Sequence, residues 1–280
     1  KLAGSPLFYL YRAQAYLSMG NNDQALIDAQ KANELDITLL QAYLVMGEAQ
    51  QAEGNMAASI DPIQTYLRYV PDDVQALVTL GKAYAAGKQD QQAVEAFSAA
   101  LKLNNRLFDA YLQRGLIYLN QGDGTKALDD LTIASKMDPE SVDAAIGVGR
   151  AYLVLGYDGD AYLQIERAQA IVKLDAEWAE LHYWRAVSLD RLKRFDVAAK
   201  DWQALLELPG AVVPADWARE ARLKLEEFYT RTPTVTVTPT QTMTRTSTPR
   251  KMTATATPGK TATKAVTHIP APVKSSTPTP

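Results

Sequence analysis

Two glycine-bearing stretches stand where phosphate chemistry would first be sought: GDGTKAL from Gly122 and IGVGRAYLVLG from Ile146. A phosphate loop needs Gly-Lys followed by Ser or Thr, entered from a strand and left through a helix. The first stretch reads Gly-Thr-Lys between two helical patterns, and the second lies inside one. Both read as turn or packing features. Histidine chemistry is equally thin, because His182 and His268 are the only histidines and no two-histidine metal spacing exists. His182 falls four residues before Ala186 on a helical pattern, where an aromatic side chain usually packs, and it reads as structural. His268 belongs to a low-complexity tail. With no cysteine in the chain, thiolate nucleophiles, thiolate metal sites and disulfides are excluded. The reading is therefore of a chain that is not an enzyme, with no catalytic residue and no cofactor.

Charge narrows the partners. The first 229 of the 280 residues hold all 32 acidic side chains against 22 basic ones. The remainder holds seven basic residues and no acid. An acidic body argues against nucleic acid, which needs clustered Lys and Arg. No run of about 20 apolar residues is present, so no membrane span is read. The chain starts at Lys1 and enters a helical pattern at once in SPLFYLYRAQAYL, from which further chain ahead of Lys1 is expected.

The elements that organise these residues appear as a repeat. Gly47, Gly81, Gly115 and Gly149 stand 34 residues apart, and the same step back from Gly47 reaches Ala13. Three residues after each come Tyr16, Gln50, Tyr84, Tyr118 and Tyr152; twelve after come Ala25, Ser59, Ala93, Ala127 and Ala161. A sixth copy follows out of phase by three, with Ala186, Leu189 and Ala198. Within a copy, Leu77, Leu80, Gly81 and Tyr84 fall on one helical face. A polar break, GKQDQ, then precedes a second stripe of Ala93, Phe97, Ala100 and Leu101. Each copy thus reads as two helices of about 13 residues joined by a short turn. The small residues sit where the two helices must approach closely.

The order Leu77, Leu80, Gly81, Tyr84, Ala93, Phe97 resembles the tetratricopeptide repeat, as do Tyr111, Gly115, Tyr118, Ala127, Leu131 and Pro139. The resemblance runs over residues 6 to 208. It implies an all-α, right-handed solenoid of about six hairpins, starting near residues 6, 40, 74, 108, 142 and 179. A terminal amphipathic helix over Ala215–Tyr229, with Trp217, Ala221, Leu225 and Phe228 on one side, is expected to cap the last apolar face. Two departures carry expectations. Pro62 should kink or delay the second helix of its copy. In the fifth copy, the second helix should run long through AYLQIERAQAIVKLDAEW and absorb the three extra residues.

In this family the first helices of the hairpins line a concave side. The resemblance therefore implies a groove row three residues before each small position: Leu10, Leu44, Val78, Leu112, Ile146 and Tyr183. One residue after each small position stand Gln14, Glu48, Lys82, Leu116, Arg150 and Val187, with Asn120, Leu153, Asp190 and Arg191 beyond. The first row is apolar, which on an open surface marks a binding site. The expected groove is centred on Leu112, Leu116, Ile146 and Arg150 and takes an apolar-anchored helix or extended segment. Some family members grip a partner's C-terminal carboxylate with Lys and Asn at these places; that set is absent here.

The tail, residues 230–280, has 18 Thr and 8 Pro among its 51 residues. Prolines interrupt its TVTVT alternation, and little apolar surface offsets ordering, so the composition predicts a disordered, partly extended segment. It reads either as an O-glycosylated stalk or as a plain spacer. The expected function is a non-catalytic scaffold that binds a protein or peptide partner. Two alternatives stay open: a regulatory segment of a larger enzyme or membrane-anchored protein, and a surface protein associating with a wall through its tail. The expected location is extracellular or at a bacterial cell envelope, with the cytoplasm as the alternative and a membrane or wall tether outside this chain.

Overall fold

The computed structural model describes residues 4–231; of the tail read over 230–280, residues 230 and 231 continue the last helix and 232–280 lie outside the described residues. The described residues form thirteen α-helices and no strand. They pair as hairpins: α1 (Pro6–Ser18) with α2 (Asn22–Leu35), α3 (Leu40–Ala52) with α4 (Met56–Tyr69), and α5 (Val74–Ala86) with α6 (Asp90–Leu103). Then come α7 (Phe108–Asn120) with α8 (Gly124–Met137), α9 (Val142–Leu155) with α10 (Asp158–Ala168), and α11 (Asp175–Arg191) with α12 (Phe195–Glu207). The final helix, α13 (Ala215–Arg231), packs on α12. The architecture is an all-α solenoid.

Four of the six hairpins close with a glycine on the odd helix facing a large side chain on the even helix. A Cβ on Gly47 would lie 2.3 Å from Ile63, on Gly81 2.7 Å from Phe97, on Gly115 2.7 Å from Leu131 and on Gly149 2.4 Å from Ile165. Ile63, Phe97, Leu131 and Ile165 are each fully buried. The two helices are thus held at a separation that no β-carbon fits, which fixes the crossing and excludes voids.

The tight turn inside each hairpin has one backbone requirement. The residues at 20, 54, 88, 122, 156 and 193, one per hairpin, all have φ between +56° and +82°. Four are glycine, which adopts this region without strain; the others are Lys88 and Lys193. Between hairpins the chain is turned by side chains. The carboxylates of Asp36 and Asp138 and the amide oxygen of Asn104 accept the backbone N–H two residues on, at 2.9–3.0 Å. Ser5, Asp73 and Ser141 then cap α1, α5 and α9.

Two local expectations are corrected. Pro62 does not delay its helix: α4 runs from Met56 through Pro62 to Tyr69. Proline there removes only the bond that would reach the Ala58 carbonyl, and buried Ile63, Tyr66 and Leu67 hold the helix beyond it. The second helix of the fifth hairpin is also short rather than long. α10 stops at Ala168, and the extra residues go into the 169–174 connection and a 17-residue α11. The Glu177 carboxylate accepts the backbone N–H groups of Lys173 and Leu174, at 2.7 and 2.9 Å, which satisfies the start of α11 and ends any continuation of α10.

Lys88 tests the turn requirement. A left-handed conformation costs a side-chain-bearing residue about 1–2 kcal/mol, against a glycine entropy cost of about 0.5–1. Lys88→Gly should therefore raise stability by about 0.5–1 kcal/mol in urea unfolding. A loss of stability would show that the turn is not what limits this hairpin.

Candidate functional site: the concave face

Every helix packs on its neighbours in sequence, but the odd helices do more. α1 touches α3, α3 touches α5, and the series continues to α11, whereas no even helix packs comparably on the next even helix. The odd helices therefore follow the shorter arc and line the concave side of the array. The even helices splay on the outer side.

The row proposed three residues before each small position does not line this surface. Leu10, Val78, Leu112 and Ile146 are only 0–6% exposed, while Leu44 and Tyr183 are half-buried. Crowding of the odd helices draws these side chains into the core. Val78 shares a cluster with Leu77, Leu80 and Phe97, and Leu44 packs on that cluster. Ile146 packs with Ile165 and Leu181. The groove centre at Leu112 and Ile146 is thus corrected: both are core residues, and an arginine at either would unfold the array rather than probe its surface.

The second row is the one that faces out. Gln14 is exposed, and Glu48, Lys82, Leu116, Arg150 and Val187 are half-buried. Of the outlying candidates, Asn120 and Arg191 are exposed, Asp190 is half-buried and Leu153 is buried. Two of these side chains reach across to the next odd helix. Lys82 pairs with Asp109, joining α5 to α7. Arg150 stands 3.6 Å from Glu180, joining α9 to α11, and its guanidinium lies over the Trp184 ring, 4.6 Å from the centroid. Burial pulls the Arg150 guanidinium down from its ordinary range and pushes Glu180 up, so this pair sits in a partly dry site.

The intervening steps are open. Among the described residues, no ion pair is formed by Glu48, on the step from α3 to α5. Burial, reinforced by the like charge of Asp73, holds its carboxyl above the usual range. Asp73 is itself engaged by the Tyr66 hydroxyl at 2.7 Å. On the step from α7 to α9 stands Leu116, an apolar side chain. At the C-terminal end, Tyr183 stacks on Trp217 of α13 with centroids 4.2 Å apart, and its hydroxyl donates to Glu220 at 2.8 Å. Lys224 of α13 reaches Asp190 at 3.1 Å. The cap helix thereby closes that end of the groove with side chains of the groove itself.

The residues first weighed for chemistry are structural in position. Asp123 caps α8 through the Lys126 N–H, and Gly122 is the turn residue of its hairpin. Gly147 and Gly149 lie inside α9 against Leu131 and Ile165. His182 Nδ1 lies 2.8 Å from buried Asp201, and its ring stacks on Trp178. Asp201 also receives two bonds from Arg185, at 2.6 and 2.9 Å. The same clamp recurs between Arg12 and Asp28 and between Arg114 and Asp130. Its signal, an Arg followed 16 residues later by an Asp in three of six copies, is present in the sequence. Among the described residues, no group of three or more His, Asp or Glu side chains is placed to hold a metal, and no helix is long and apolar enough to cross a membrane.

Comparison with known proteins returns repeat families. A "TPR repeat" model matches residues 81–122, and a "Tetratricopeptide repeat" model matches residues 112–170. The DnaJ homolog subfamily C member 3 of Rattus norvegicus is 27% identical over 201 residues, covering 66% of this chain and 39% of its own. This chain thus spans about two fifths of that relative's length. Among solved structures, YrrB, described as a TPR protein with an unusual peptide-binding site, is 24% identical, with a TM-score of 0.55 over 58% of this chain and 84% of its own. PilF of Pseudomonas aeruginosa is 15% identical, with a TM-score of 0.59 over 81% of this chain and 97% of its own. These structural likenesses concern the fold.

Asp201 supplies a pH test. Burial alone would push its carboxyl up; the bonds from His182 and Arg185 outweigh that and hold it below its ordinary value of 3.8. A depressed folded value contributes stability that is complete above the ordinary value and is lost as pH falls through the folded one. Asp201→Asn should cost about 3 kcal/mol at pH 7, and the gap to the parent should narrow between about pH 4 and pH 2. Urea unfolding at both ends of that range measures it; a pH-independent gap would contradict the clamp.

Proposed function

The chain carries an array of tetratricopeptide repeats, and on that premise we propose that it is a non-catalytic scaffold that holds a partner peptide along its odd helices. The fold supports protein interaction in general. The observation that carries the finer reading is the alternation along the concave face. The steps bridged by Lys82–Asp109 and Arg150–Glu180 are closed by internal ion pairs, while Glu48 and Leu116 on the intervening steps remain available.

Glu48 is the strongest recognition element. A half-buried carboxylate next to Asp73 is destabilised in its charged form, and a Lys or Arg from a partner relieves that. Leu116 two hairpins further on offers an apolar contact. The partner that fits is a segment with a basic side chain at one end of the contact and a large apolar one at the other. YrrB's description as a peptide-binding TPR protein agrees with this reading. The tail beyond residue 230 is part of the same proposal as a spacer tethering the array at a cell envelope. Partner capture should then survive its deletion.

Selection from a random peptide library, with the intact chain as bait, tests the reading. Peptides enriched in Lys or Arg are expected. Glu48→Lys and Leu116→Arg should each weaken them by about tenfold or more, with helicity intact. Asp129→Lys, on the exposed outer side of α8, should leave them unchanged. Equal binding to Glu48→Lys, Leu116→Arg and the parent would remove the groove from the account.

A further inference from the structure

On the concave face, one carboxylate is held and its neighbour is not. Asp73, which caps α5, accepts the Ala76 N–H at 3.0 Å and the Tyr66 hydroxyl at 2.7 Å. The Gln41 amide steadies that hydroxyl by donating to it at 3.3 Å. Asp73 is therefore fixed in place. Glu48, on α3, is half-buried beside it, and no donor or cation stabilises its charge. Burial and the like charge of Asp73 both favour the protonated carboxyl.

The elements packed on α3 offer Glu48 no relief. Arg12 of α1 is taken by Asp28, Lys31 of α2 by Glu34 and Lys82 of α5 by Asp109. Arg68 of α4 is exposed and lines a recess with Gln64 and Pro71. Among the acids of these elements, which include Asp23, Asp61 and the partners just named, Asp73 is the one whose charge acts on Glu48. Tyr66 of α4, whose hydroxyl burial keeps protonated, is the remaining titratable neighbour.

We propose that capture of a basic partner at Glu48 expels a proton, so that the array holds its partner at neutral pH and releases it in a mildly acidic medium. This rests on the reading of Glu48 as the recognition element. A Lys or Arg seated there supplies the missing donor and offsets the Asp73 charge, so the bound state favours the ionised carboxylate. Without a partner, the carboxyl keeps its proton to a pH above its ordinary 4.5. The complex thus binds fewer protons than its separate parts over that interval, and linkage makes affinity fall as pH falls through the free value. Above that value, affinity is constant. The Asp201 clamp gives way only below 3.8, so release precedes the loss of that part of the fold.

Isothermal titration calorimetry of the intact chain tests this. The probe is a peptide selected on that chain, with blocked termini, that carries Lys or Arg and no Asp, Glu or His. Affinity should hold constant from about pH 7.5 down to the Glu48 transition and then fall by up to about tenfold per pH unit. At about pH 5, titrations in buffers of different ionisation enthalpy should show up to about one proton released per peptide bound. Glu48→Gln keeps the size of the side chain and leaves His182 and His268 in place. It should bind more weakly, with a flat pH profile, no proton release and unchanged helical circular dichroism. Binding that needs Glu48 yet is flat between about pH 7.5 and 4.5, with no proton released, would overturn the proton link and leave the groove reading standing. A pH profile that persists in Glu48→Gln would assign the proton to another group and equally overturn the link. If selection yields no basic peptide, the groove reading and the proton link fall together.

Discussion

The structure depends on one steric constraint: the two helices of a hairpin approach so closely that only a small residue fits between them, and in four of the six hairpins not even a β-carbon does. Glycine at 47, 81, 115 and 149 admits Ile63, Phe97, Leu131 and Ile165, and these large side chains fill the space completely. In the first hairpin the pairing is Ala13 with Ala29, and in the sixth Ala186 with Trp202, all of them buried. Once each hairpin has this fixed geometry, hairpins stack with a constant offset, and the offset crowds the odd helices together. The concave face is a consequence of that crowding. Stability is correspondingly local, a sum over hairpins and their seams.

Charge is distributed around this apolar frame in two different ways. Inside hairpins, Arg12–Asp28, Arg114–Asp130 and Arg185–Asp201 satisfy nearly buried carboxylates with paired donors, so each is neutral as a unit. Removing one partner strands a charge, which makes the clamps matter for specificity of packing more than for net stability. Across hairpins, Lys82–Asp109 and Arg150–Glu180 are more open and connect neighbouring odd helices. Glu48 breaks this pattern, because it is a half-buried carboxylate without a cation. A face that bridges two of its steps with ion pairs and leaves Glu48 beside Asp73 without a cation is suited to a basic partner.

The repeat was legible because steric closure recurs at a fixed step and tolerates few residue types. The turn residues at 20, 54, 88, 122 and 156 recur at that step, and 193 follows at the longer step of the sixth copy, but Lys88 and Lys193 hide the signal, since nothing in a lysine announces a positive φ. The groove row failed for a different reason. Leu10, Val78, Leu112 and Ile146 are apolar at regular spacing whether they face solvent or a neighbouring helix. Periodicity identifies a face of a helix; only the packing of odd helices on one another decides what covers it. The α10–α11 boundary was similarly out of reach, because it turns on the Glu177 carboxylate reaching back to two backbone N–H groups. Helical periodicity through the same residues cannot register that competition.

The most direct test of the account is hydrogen exchange of the intact chain with and without a peptide selected on it. Binding along the concave face predicts added protection in α3, α5, α7 and α9, strongest around Glu48 and Leu116, with the even helices unchanged. Protection concentrated in α4, α6, α8 and α10 would place the partner on the outer side and contradict the assignment of the odd helices as the binding surface.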